Sequence, residues 1–141
     1  MSMETTSMRH KKRELGKNGE DYCVQQLERE GYEVLERNYR SRYGEIDIIA
    51  RDGIFLVFIE VKTRTNDSVD KAKIDITYSK QKKITKTAMY FLVNYHNPEI
   101  LEYRFDVMIC IDSFPENNNY HLEINHFKNA FPPSEVGDFF A

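Results

Sequence analysis

The sequence has no apolar run approaching the ~20 residues that cross a bilayer. Its opening stretch, MSMETTSMRHKKRELGKNG, lacks the apolar core of a secretory signal. The expectation is therefore a cytoplasmic protein without a membrane partner. Cysteine is scarce: Cys23 and Cys110 stand far apart within apolar patterns and make no metal-ligand spacing, which points to two reduced, buried, small hydrophobes. The histidines (His10, His96, His121 and His126) are scattered, and no two sit at ligand spacing with a cysteine, so a zinc site is not expected. Internal repeats and low-complexity linkers are absent as well. A surplus of positive charge is also lacking, since the net charge is -3. That does not exclude a nucleic-acid partner, because the local field where phosphates would lie is what matters.

What is present suits one soluble domain: 141 residues, 40% hydrophobic and 30% charged. Residues 1–12 read as a flexible start, 13–131 as the domain and 132–141 as a tail. From Arg13 to Glu30 the spacing predicts a helix with the stripe Leu15, Tyr22, Cys23, Val24 and Leu27, capped by Gly31. Glu20 falls on or beside that inward stripe, an unusual position for a carboxylate. YEVLERNYR reads as a short strand, and residues 64–78 as a long connection or lid. Lys80 to Tyr95 reads as a second helix with Ile84, Ala88, Phe91, Leu92 and Tyr95 inward and Gln81 on the same side, ended by Asn97-Pro98. YRFDVMICID and YHLEINHF read as strands around a turn at PENNN. The apolar end, GDFFA, could pack on the body or on a neighbouring chain, which leaves a homodimer open. The order α-β-β-β-α-β-β predicts an α/β fold, one mixed sheet flanked by helices.

The centre of that sheet is GEIDIIARDGIFLVFIEVK, residues 44–62, where Glu45, Asp47, Glu60 and Lys62 interrupt two apolar runs. Alternation puts Glu45 and Asp47 on one face, with Ile46 and Ile48 on the other; Glu60 and Lys62 likewise share a face. Asp52-Gly53 favours a two-residue type I′ loop. With it Asp47 opposes Phe58, Glu45 opposes Glu60, and all four charged groups point the same way. Like charges on adjacent strands repel, so something must compensate them. Lys62 and nearby arginines could do so, leaving a merely structural polar edge. A divalent cation between Asp47 and Glu60 could do so too, because Mg²⁺ is commonly held by one or two carboxylates plus water and phosphate oxygens. Lys62 would then stand beside a phosphoryl-transfer site.

These residues resemble the PD-(D/E)xK, or restriction-endonuclease-like, superfamily. Within it the sequence is similar to the small bacterial YraN-like family, through GKNGEDYCVQQLEREGYEVLERNYRSRYGEIDIIARDG, VFIEVKTR, KQKKITKTAMYFL, RFDVMICI and INHFKNAF. Ile46 stands where the superfamily has proline before the first Asp, and NDSVDKAKIDITY replaces the Phe-Gly segment that the family usually has after VKTR. The resemblance implies an αβββαβ core and a Mg²⁺- or Mn²⁺-dependent endonuclease acting on nucleic acid, DNA in first place. It implies Asp47 and Glu60 as metal ligands, Glu20 as an auxiliary ligand through water, and Lys62 as the catalytic lysine. Gln81, Lys80, Lys82 and Lys83 would line the substrate side. Arg40 and Arg42 could reach phosphates or pair with Glu45, and Asp106 could face the site or pair with Arg104. The alternative expectation is a nucleic-acid-binding module with this fold and no catalysis. An interaction protein docking through the tail has least support.

Overall fold

The computed structural model describes residues 19–65, 76–112 and 122–136. Helix α1 covers residues 19–29 of this range, followed by β1 (Glu33–Ser41), β2 (Gly44–Asp52), β3 (Phe55–Thr65), α2 (Tyr78–Asn94), β4 (Glu102–Asp112) and β5 (Leu122–Phe131). The strands form one sheet in the order β1-β2-β3-β4-β5. All neighbours are antiparallel except β3 and β4, which are parallel. A parallel pair needs a crossover, and α2 lies within it. The chain is an α/β protein with the expected order of elements. No helix among the described residues is long and apolar enough to cross a membrane. The expected flexible start, the PENNN turn and the GDFFA end lie outside the described residues.

The two helices cover opposite faces. On one, Cys23 and Leu27 of α1 pack with Ile48, Ala50, Val57, Ile59, Met108 and Cys110. On the other, Ile84, Ala88 and Phe91 of α2 pack with Leu56, Phe58, Phe105, Val107 and Ile109. Burial from both sides explains why β3 and β4 read as continuous apolar runs rather than alternating ones. Phe58 anchors the α2 side, edge-on to Phe91 at 6.1 Å between ring centroids and 5.6 Å from Phe105. Cutting such a buried ring to alanine costs about 3–5 kcal/mol.

Local chemistry sets the helix ends. Gly31 at φ +91 lets α1 stop with Tyr32 N–H bonding the Leu27 carbonyl at 2.9 Å, a closure that favours glycine. Thr77 caps α2, its hydroxyl accepting from Lys80 N–H at 3.2 Å, so the helix opens at Tyr78 rather than Lys80. Arg64 and Thr65, expected in a connection, prolong β3 instead, and residues 66–75 lie outside the described range. After β5 the chain returns to α2, where Ser134 N–H bonds Thr85 Oγ1 at 3.1 Å. That bond ties Ser134 to the body, while Pro132, Pro133 and Glu135 stay exposed.

The hairpin register corrects the sequence reading. Asp52 pairs with Phe55 and Ile48 with Ile59, so the loop is Gly53-Ile54 rather than Asp52-Gly53. Only Gly53 has positive φ, +60. A type I′ loop needs two such residues, whereas a glycine-first loop of the II′ kind needs one, and asparagine or glycine is missing at the second place. The slip is two residues in the pairing, so the paired residues Ile48–Asp52 and Phe55–Ile59 keep their faces. Continued one step, the register sets Asp47 directly across from Glu60.

Candidate functional site

β2 and β3 stop pairing at Ile48–Ile59 and part toward the end that holds Asp47 and Glu60. The regular alternation fails there too: Ile46 packs on the α2 side and Ile48 on the α1 side, against the expectation that they share a face. β1 is irregular at the same level. Asn38, between the pairs Arg37–Ile48 and Tyr39–Ile46, takes φ +51, a left-handed conformation that asparagine tolerates better than most residues. The resulting gap exposes a backbone donor, which Asp47 fills: Val61 N–H donates to Asp47 Oδ2 at 2.7 Å.

Asp47 and Glu60 face each other closely enough to share a hydrogen bond when one is protonated. Burial pushes the Asp47 carboxyl up from its ordinary 3.8 to about 7; Glu60's charge adds to this, the Val61 N–H opposes it, and Glu20's charge contributes further. Lys62 Nζ lies 3.4 Å from Glu60 Oε1, and both side chains are nearly closed to solvent, at 10% and 13%. Lys80 reaches the same Glu60 oxygen from α2 at 4.0 Å. The neighbouring Lys62 ammonium depresses the Lys80 ammonium's proton affinity, helped by burial, while Glu60 pulls the other way. Two acids and two ammonium groups therefore share one opening of the sheet.

The other expected residues are placed as follows. Glu20 lies on α1 within electrostatic reach of Asp47, but its carboxylate accepts from Arg37 Nε at 3.1 Å and Asn38 Nδ2 at 3.1 Å. Among the described residues, no three His, Cys, Asp or Glu side chains converge as a metal-binding group. Glu45, expected to point with the acids, is half exposed and pairs with Arg40 at 3.3 Å. Arg42 folds over Tyr43, and Lys83 lies against Gly44 at the β1–β2 turn. Gln81 bonds the Ile76 carbonyl at 3.2 Å and lines a cavity of about 380 Å³ with Val107, His126 and Lys128.

Asp106 does not join Asp47 and Glu60. It is fully buried on the α1 side, held by Arg104 Nε at 3.0 Å, His126 Nε2 at 2.8 Å and Asn129 N–H at 2.9 Å. Burial pushes its carboxyl up, but the three bonds and Arg104's charge outweigh that and hold it below the ordinary value. Sequence reasoning missed His126 as its partner, and no local pattern marks a contact between strands. The two cysteines are buried as expected, yet they meet: Cys23 Sγ and Cys110 Sγ lie 3.3 Å apart, joining α1 to β4.

The model of Uncharacterised protein family UPF0102 matches residues 19–110, about two thirds of the chain. The chain belongs to UPF0102. A UPF0102 protein of Thermodesulfovibrio yellowstonii is 42% identical over 120 residues, covering 84% of this chain and 96% of the relative. Another, from Caldicellulosiruptor saccharolyticus, is 42% identical over 120 residues, covering 85% and 98%. The UPF0102 match runs from the start of described α1 to Cys110 in β4. It therefore spans Glu20, Asp47, Glu60, Lys62 and Lys80, and leaves out β5 with His126.

Proposed function

We propose that this UPF0102 protein is a metal-dependent nuclease of the PD-(D/E)xK kind that hydrolyses phosphodiester bonds in nucleic acid, DNA foremost. One observation carries the reading: Asp47 and Glu60 meet across the parting of β2 and β3, with Lys62 3.4 Å from Glu60. The run α1-β1-β2-β3-α2-β4 follows the order of that superfamily's αβββαβ core, with β5 added at the edge.

The donor set fits Mg²⁺ or Mn²⁺, since two facing carboxylates are hard oxygen ligands that repel one another until a cation joins them. A bound divalent ion would supply charge neutralisation at the phosphoryl group and a water of lowered pKa. The chain's own residues do the rest. Asp47 is oriented by the Val61 N–H, which leaves its second oxygen for the ion. Lys62, buried beside Glu60, holds a positive charge where a scissile phosphate would gain negative charge. Lys80 adds a second ammonium from α2. Glu20, engaged by Arg37 and Asn38, would act only through water.

That engagement of Glu20 also favours a second reading, a nucleic-acid-binding module that keeps the fold without cleavage. Supercoiled, single-stranded and four-way-junction DNA, each incubated in Mg²⁺ or Mn²⁺, separate the two. Wild type should cut at least one substrate, and Asp47→Asn and Lys62→Ala, purified identically, should not. Cleavage that survives in both variants would defeat the nuclease assignment. Binding without cleavage in all three proteins would select the module.

A further inference from the structure

α2 contains four lysines (Lys80, Lys82, Lys83 and Lys86) and no acidic residue. Among the described residues, Lys82, Lys83 and Lys86 have no carboxylate within ion-pair distance, and the one acid near the β1–β2 turn, Glu45, is already taken by Arg40. Lys80, Lys83, Thr87 and Tyr90 follow the i, i+3, i+7, i+10 spacing of a single helix face. That face starts at Glu60, where Lys80 sits, and runs about 15 Å to Tyr90 at 1.5 Å per residue.

The β1–β2 turn is fastened along the same face. Ser41 Oγ bonds Thr87 Oγ1 at 3.2 Å and accepts from Tyr43 N–H at 3.1 Å. Gly44 comes so close that an added Cβ would lie 3.5 Å from both Lys83 Cβ and Thr87 Oγ1. This places the Tyr43 ring 6.5 Å from that of Tyr90, inclined at 59°. Arg42 lies over Tyr43, its Cζ 4.9 Å from the ring centroid and its guanidinium bonded to the Tyr43 hydroxyl at 2.7 Å. Tyr90 is 45% exposed, a large fraction for a ring in contact with a neighbour. Aromatic rings and guanidinium planes flanked by lysines are the combination that binds unpaired bases by stacking while the cations track phosphates.

We propose that Tyr90, with the Arg42–Tyr43 stack, is a stacking platform for an unpaired base. The strand is led from there along Lys86 and Lys83 to the carboxylates, so the substrate class is single-stranded nucleic acid or a single-stranded arm. The proposal rests on the nuclease reading only for what happens at the far end of the track. The platform itself requires binding alone. A paired duplex buries its base faces and would offer the platform phosphates but no ring to stack. DNA and RNA share the chemistry invoked, and the arms below distinguish them.

The sequence has no tryptophan, so Tyr90→Trp introduces a single reporter at the platform. In EDTA, on the Asp47→Asn background so that no strand is cut, a twelve-nucleotide oligothymidylate should quench this tryptophan saturably. Oligodeoxyuridylate and oligouridylate of the same length, which differ at the 2′ position alone, show whether the sugar matters, and a twelve-base-pair duplex should bind more weakly. By fluorescence anisotropy, Tyr90→Ala should weaken binding to the single strand about tenfold, whereas Tyr90→Phe should stay within about twofold of the parent if ring stacking rather than the hydroxyl is what counts. Tyr90→Ala should weaken duplex binding far less, and equal melting temperatures would show that the turn still packs on α2. Three outcomes overturn the platform: no binding of any single strand, binding without tryptophan quenching, or equal losses on single strand and duplex. Because cleavage is absent from this assay, its failure leaves the nuclease reading to the Lys62→Ala comparison, and failed cleavage leaves the platform standing.

Discussion

Replacing Asp47 with asparagine should make the metal-free protein more stable while abolishing the proposed cleavage. Asp47 lies against Glu60 in a partly buried setting and titrates near 7 rather than 3.8. A carboxyl raised in the folded state holds its proton where the unfolded chain has lost it. Stability therefore falls as pH rises from about 4 to about 7. Keeping Asp47 ionised above pH 7 costs at most about 4 kcal/mol, from the gap between 3.8 and about 7 at 1.36 kcal/mol per pH unit. Asparagine removes that cost and can still accept from Val61 N–H through its amide oxygen. It loses the extra strength of a bond to a charged acceptor, about 1 kcal/mol, and local relaxation absorbs part of the remainder. A net gain of about 2 kcal/mol at pH 8 is expected, or about 6 °C in melting temperature for a chain of this length. Urea unfolding in EDTA at pH 8 and pH 4 measures it, and the gain should shrink to near zero at pH 4. Adding Mg²⁺ should raise the wild type alone, by about 1.4 kcal/mol at ten times its Kd. A variant no more stable than wild type at pH 8, or equally stabilised at both pH values, would refute the repelling acid pair.

Three further outcomes are expected. Mg²⁺ binding should release about half a proton at pH 7 and close to one at pH 6, because Asp47 must ionise to coordinate; calorimetry in two buffers of different ionisation enthalpy counts it, and zero release would contradict the Asp47 assignment. Asp106→Ala should cost about 3 kcal/mol at pH 7 by urea unfolding, since it removes the acceptor of Arg104 Nε and of the Asn129 N–H, while Arg104 keeps Asp52 as an ion-pair partner. As the Asp106 carboxyl is depressed, that contribution is present above the ordinary carboxylate value and is lost as pH falls through the lower, folded one, so the penalty should narrow in acid. Gly19→Ala would bring a Cβ within 2.6 Å of Thr63 Oγ1, pushing α1 off β3 at a cost of about 1–3 kcal/mol; Thr63→Ala should restore most of it, and a double variant as unstable as Gly19→Ala alone would rule out this clash.

Periodicity made the framework legible. The stripe Ile84, Ala88 and Phe91 faces the core, and the apolar runs in 55–61 and 105–111 are central strands because both faces are covered. The acid pair was legible as well, for a reason that tolerates error: side chains alternate with period two, so a pairing slip of two residues left Asp47 and Glu60 on one face. The turn itself was misplaced because Asp-Gly suits a loop needing two left-handed residues, whereas the chain uses Gly53 alone. The Arg40–Glu45 pair was among the readings the sequence offered, whereas pointing Glu45 with the acids rested on alternation, which Ile46 and Ile48 show to fail where β2 parts from β3. Cross-element partners such as Arg37 for Glu20, His126 for Asp106 and Cys23 for Cys110 leave no local pattern, since each depends on which surfaces meet after folding.

The mixed pairing of the sheet also bears on the order in which the site assembles. β1, β2 and β3 are joined by short turns and pair locally, whereas β4 must wait for a crossover containing α2. Local pairings close with little loss of chain entropy and tend to form early; distant parallel ones come late. Asp47 and Glu60 are therefore brought together with only Lys62 of β3 to offset their charge, before Lys80 arrives on α2. Collapse of the first three strands then meets an electrostatic barrier of the site's own making. Refolding in EDTA is expected to quicken as pH is lowered from 8 to 6, or when Mg²⁺ is present from the start, and Asp47→Asn should fold equally fast under all these conditions. Stopped-flow refolding that is flat with pH in the wild type would place the meeting of the two acids after the rate-limiting step.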